Sequence, residues 1–171
     1  MKDYLLLLTK YHRDSDNEVI RIFDKISEEE RRVDRKSFAV SLHGILDHIM
    51  EATLYFQKQI YSSFPTLSCL FHKYIDFETV YGKINFYDFE ELKKVINTLD
   101  AALIEIVRQL SEEDLNKQIT VKSFDGESIQ TVNFIIFQCI NHSTHHRGQI
   151  SQILDEMKVD NDYSGIHLNY E

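Results

Sequence analysis

The sequence predicts an all-α fold, a four-helix bundle with a small β-hairpin inserted before the last helix. Three observations predict it. The 171 residues contain only five glycines and one proline, so few positions break a helix. Four long stretches repeat apolar residues at helical spacing. Asp125-Gly126 stands between two short β-type runs, a strong hairpin signal.

The first helix is expected from about Asp3 to Ile26, with Leu5, Leu8, Tyr11, Val19, Ile22 and Phe23 on its apolar face. The polar patch Asp14–Asn17 interrupts that face. Ser27 and Glu30 have the spacing of a capping box. Glu28-Glu29-Glu30-Arg31-Arg32 reads as a solvated connection of mixed charge. The second helix is expected from about Phe38 to Ile60, with Phe38, Leu42, Ile45, Ile49, Ala52 and Phe56 as one stripe. Pro65 lies beyond its end. The aromatic connection from Ser62 to Tyr87 is too long to be structureless, which predicts a short helix within it.

The third helix is expected from about Phe89 to Leu110, with Asp88 as N-cap. The hairpin falls within Ile119–Ile129, and the fourth helix from about Gln130 to Lys158. Val159–Glu171 is a tail. With no repeat and no linker, residues 1–171 form one domain.

The net charge of −9 argues against nucleic acid as a partner, because phosphate binding rests on Lys and Arg. Cys69 and Cys139 lack metal or redox spacing, and Cys139 sits in an apolar run as a small core residue. No apolar run approaches membrane-spanning length, and the N-terminus lacks the pattern of a signal peptide. These features predict a cytoplasmic protein without a membrane partner.

Eight histidines carry the chemistry. On a helix, residues four apart lie only about 40° apart around the axis, so His142 and His146 stack on one face. Ile135, Cys139, Gln149 and Ile153 share that stripe, which turns it toward the bundle interior. Two interior imidazoles one turn apart must satisfy their nitrogens without bulk water. Hydrogen bonding to other side chains is one solution; a shared metal is the other. A third ligand would come from another helix, and His48 is the best placed. His43, about 140° from His48 around the second helix, is expected on the outer side. His145 is rotated about 100° from His146 and reads as a helix-surface residue. His12, His72 and His167 have no motif partner, and His12 stands out because its helix lines the bundle. Tyr55 and Gln149 share faces with the ligands, whereas Asp47 points elsewhere. No residue is evident as a general base.

Leu42-His43-Gly44-Ile45-Leu46-Asp47-His48 and Asn141-His142-Ser143-Thr144-His145-His146-Arg147-Gly148-Gln149-Ile150 together resemble the DinB family of metal-dependent enzymes, whose relatives include YfiT-like proteins and thiol-dependent transferases. The second motif, behind its Asp-Gly hairpin, is the specific one, and the helix order matches as well. The resemblance implies a four-helix bundle, zinc or nickel held by His48, His142 and His146, and a homodimer. It implies a small-molecule substrate, with a low-molecular-weight thiol as co-substrate in the transferase reading. Metal-dependent hydrolysis and non-enzymatic binding of a metal or small molecule are the alternatives. The aromatic connection Ser62–Tyr87 and the tail Ser164–Tyr170 depart from the family pattern.

Overall fold

The computed structural model describes residues 1–67, 88–123 and 125–166. Among these residues, six helices and one hairpin follow in the order α1 (Lys2–Phe23), α2 (Glu28–Arg32), α3 (Leu42–Ser63), α4 (Phe89–Gln109), α5 (Glu112–Asn116), β1 (Gln118–Ser123), β2 (Gly126–Thr131) and α6 (Val132–Glu156).

The long helices α1, α3, α4 and α6 form the bundle. Each packs against two neighbours: α1 on α4 and α6, α3 on α4 and α6. Thus α1 and α3 stand on one diagonal and α4 and α6 on the other, whereas the consecutive α3 and α4 are neighbours. The short elements bridge those diagonals, α2 on one side and α5 with the hairpin on the other. Leu46, Ile49, Leu99, Leu103, Ile136 and Leu154 fill the space between them and are essentially without exposure. No helix among the described residues is long and apolar enough to cross a membrane.

The ends follow local chemistry. Asp88 caps α4 by accepting the Glu91 N–H at 2.8 Å, and Ser27 caps α2 through the Glu30 N–H. Ser111 and Asp114 make a reciprocal capping box on α5. The hairpin closes on the pair Ser123↔Gly126, where Gly126 adopts φ 131°, a backbone setting that side chains disfavour. Gln59 of α3 clasps β1 by accepting the Lys122 N–H at 3.1 Å.

Four expectations change. The polar patch Asp14–Asn17 does not interrupt α1, because Ser15 and Asp16 turn inward, Ser15 donating to the Tyr163 carbonyl at 3.3 Å and Asp16 pairing with the buried Arg147. The second long helix starts at Leu42 behind the cap Ser41, so Phe38 leaves the predicted stripe and lies outside it, 67% exposed. The mixed-charge run is a helical turn, not merely a solvated connection. Its Arg31 is buried, donates to the carbonyls of Phe23 (2.7 Å) and Ile26, and lies 4.2 Å from the Phe89 ring centre. His43, expected outside, is fully buried with its ring 6.3 Å from that of Phe89. Every residue from 41 to 50 is buried, since α2, α4 and α6 all pack on α3, and this stretch has no outer side. The short helix expected in Ser62–Tyr87 falls mainly on residues outside those described, as do Cys69, His72 and His167.

Candidate metal centre

Adjacency of α3 and α6 is what assembles the site. His48 faces α6 from α3, and its ring centre lies 5.0 Å from that of His142 and 4.5 Å from that of His146. The Nε2 atoms of His142 and His146 are 3.1 Å apart. One nitrogen from each of the three rings falls within 4.8 Å of the others. His48 and His146 are buried and His142 half-buried, so the group is not sealed from solvent.

Gln149 sits one turn beyond His146 on α6, and its Oε1 lies 2.8 Å from His146 Nδ1. An amide oxygen only accepts, so Nδ1 carries the proton and Nε2 presents a bare lone pair toward His142. Burial, and then the nearby His146, push the His48 imidazole down to about 4. Burial with His146 and His48 beside it pushes His142 down to about 3. Burial also lowers His146, against the opposing effect of the hydrogen bond it donates to Gln149. All three rings are therefore neutral near pH 7, the form that ligates a metal.

The donor set fits a small divalent ion. Nitrogens about 2.0–2.1 Å from a tetrahedral ion stand roughly 3.3–3.4 Å apart, near the separation of His142 and His146. His142 Nδ1 is buried without a hydrogen-bond partner among the described residues, so the rings do not satisfy one another by themselves. Three nitrogen ligands also leave a coordination position open.

A second group, His12, Asp16 and Asp100, brings its ligand atoms equally close and is fully buried. Its chemistry differs because Arg147 completes it. Arg147 Nη1 donates to His12 Nδ1 at 3.0 Å and to Asp16 Oδ1 at 2.8 Å, while Nη2 donates to Thr144 at 3.0 Å. Arginine has no acceptor, so His12 Nδ1 accepts and the proton of the neutral ring sits on Nε2. That Nε2 lies 3.3 Å from Asp100 and 3.6 Å from Asp16, close electrostatic contacts that fall outside hydrogen-bond geometry. A metal there would have to displace both the ring proton and the guanidinium. The second group is a buried ion network joining α1, α4 and α6. Burial, and then Asp16, raise the Asp100 carboxyl above its usual range.

Other candidates resolve simply. His145 is exposed, as its rotation implies; its Nε2 lies 3.5 Å from the Gln149 amide nitrogen, and its ring stands edge-on to that of His146 with centres 4.9 Å apart. Tyr55 donates to the Lys122 carbonyl at 2.9 Å and ties α3 to the hairpin. Cys139 is a core residue whose thiol burial pushes up to about 12, so it is no nucleophile. Three features escaped sequence reasoning: the partners of His12, the position of Phe38, and Glu51. Burial and then Asp47 push the Glu51 carboxyl up to about 7. The Arg147–Asp16 pairing spans 131 residues, a separation at which no local pattern gives a signal.

Fold and site define a helical bundle with a three-histidine group suited to a divalent metal at the seam of two neighbouring helices. The family model that matches is that of the DinB family, over residues 1–160, and the chain belongs to that family. Neither a curated protein nor a solved structure matches the chain.

Proposed function

We propose that this protein is a metal-dependent enzyme in which His48, His142 and His146 hold one divalent ion, zinc or nickel, and that it transfers a thiol to a small electrophilic substrate. The observation that carries the reading is the convergence of three neutral imidazoles on one point that is reachable from solvent. A divalent ion in such a site supplies Lewis acidity that favours the deprotonated form of a thiol or of water. The chain's own residues do the positioning. Gln149 fixes the tautomer of His146, and α3 and α6 hold the rings in place through their packed apolar faces. Transfer of a thiol is preferred because thiol-dependent transferases are among the relatives that the histidine motif resembles. Hydrolysis uses the same site with water as nucleophile.

The test is direct. Protein purified without chelator should contain close to one divalent ion per chain, and His146→Ala should lose it. The wild type should conjugate small thiols to electrophilic bimane dyes, and His146→Ala should not. Stoichiometric metal with hydrolytic turnover alone would replace transfer by hydrolysis. Metal with no turnover on either substrate class would make the protein a binding module. A wild type without stoichiometric metal would refute the site.

A further inference from the structure

The histidine group has a border that the core does not require. Phe38 sets its ring edge-on to His48, with centres 5.6 Å apart and planes at 71°, yet the residue is 67% exposed. It belongs to no part of the buried apolar cluster. A large apolar side chain left mostly in water forgoes most of the gain of burial. Phe56, half-buried on α3, brings a second ring to 6.3 Å from that of His142.

The backbone that presents Phe38 is also unfavourable by itself. Val40 adopts φ 67° and Lys36 φ 57°. A β-branched residue in the left-handed region is a true outlier, and such strain persists only where the surroundings enforce it. Here they do. The Arg35 N–H donates to the Val40 carbonyl at 2.7 Å, and the Val40 N–H to that of Ser37 at 3.0 Å. Ala39, the next residue in the turn, is buried, and Ser41 caps α3 by accepting the Gly44 N–H at 3.1 Å. Arg35 itself is paired with Glu30 and reaches Met157 Sδ at 3.4 Å. The turn is thus pinned on both sides, with an exposed aromatic ring at its tip against a candidate ligand.

We infer that Phe38, with Phe56, walls the mouth of the three-histidine site and selects metal ligands that carry a planar apolar group beside the donor atom. The inference rests on the metal reading above. An aromatic group on a bound ligand would pack against the Phe38 ring and cover it, which supplies the burial that the free protein lacks. A small hydrophilic ligand would reach the metal without using that ring.

The experiment uses the full-length protein loaded with Co(II), whose visible absorption reports on ligands entering the site. Acetohydroxamate and benzohydroxamate share one metal-binding head and differ in a methyl against a phenyl group. Phe38→Ala should weaken benzohydroxamate by between about two- and tenfold, the range of a single aromatic contact. Acetohydroxamate should stay within about twofold, and Phe38→Tyr should keep the wild-type preference. The Co(II) content should be the same in all three proteins, since Phe38 supplies no ligand atom. Equal losses for both hydroxamates, or none for either, would overturn the inference while leaving the metal site standing. A change of oligomeric state in Phe38→Ala with unchanged hydroxamate selectivity would also overturn it, by making the ring a subunit contact. Failure of the wild type to take up Co(II) would instead strike the metal reading, and this inference with it.

Discussion

Replacing Arg147 by methionine tests the buried ion network where its energetics are sharpest. Methionine fills much of the same volume but removes the guanidinium from a site that, among the described residues, holds two carboxylates and a histidine. Three hydrogen bonds disappear, to His12, Asp16 and Thr144. Removing one partner of a buried pair costs about 3–5 kcal/mol, because the charge left behind has no compensation. A domain has only about 5–15 kcal/mol in total, so the variant would lose a large part of its stability. At roughly 2–4 °C per kcal/mol for a chain of this size, the melting temperature should fall by about 6–20 °C.

The loss should also depend on pH. Without the guanidinium, which opposes the effect of burial, Asp100 is harder to ionise, so its folded pKa rises further above the unfolded value of about 3.9. A raised folded pKa gives stability that is present below the unfolded pKa and lost as pH rises through the folded one. Arg147→Met should therefore be hurt more at pH 8 than at pH 5. Urea unfolding of metal-free wild type and variant at both pH values reads the difference, with chelator present so that the neighbouring His146 contributes no metal effect. A cost under about 1 kcal/mol at pH 8, or one equal at the two pH values, would refute the reasoning.

Two further predictions concern the histidines. Gln149→Leu should lower metal affinity by about 10–100-fold without unfolding the protein, because it removes the acceptor that orients His146; competition with a chromogenic chelator measures this, and unchanged affinity would make Gln149 a bystander. The folded values of His48 (about 4) and His142 (about 3) lie below the ordinary 6.5, so metal-free stability is present above pH 6.5 and lost as pH falls through those values. His142→Gln should flatten that fall in unfolding experiments between pH 7.5 and 4, whereas an identical slope would show that the ring is not held neutral by the fold.

The four long helices and the Asp88 and Ser27 caps could be read in the sequence because they depend on neighbours a few residues away, whereas α5 with its Ser111 cap and the start of α3 at Ser41 were not. The i, i+4 pair His142/His146, the Asp88 cap and the hairpin before α6 all depend on such neighbours, and all stand as expected. The inward turn of His48 was legible for the same reason, since its face of α3 is set by helical spacing. Local reasoning failed where a helix has no free side. His43 lies far around α3 from His48, yet both are buried, because α2, α4 and α6 surround that part of the helix.

What the sequence by itself determined was the order of the four long helices and the hairpin, and the pairing of His142 with His146, both consequences of periodicity and turn signals within one segment. Only the tertiary structure decided that α3 and α6 are neighbours, that Arg147 completes the His12 group, and that Phe38 stands beside the three-histidine group instead of in the helix stripe. These depend on contacts between residues far apart in the chain. Such contacts are set by how whole apolar faces pack and which buried charges they bring together, and no window of sequence contains that information.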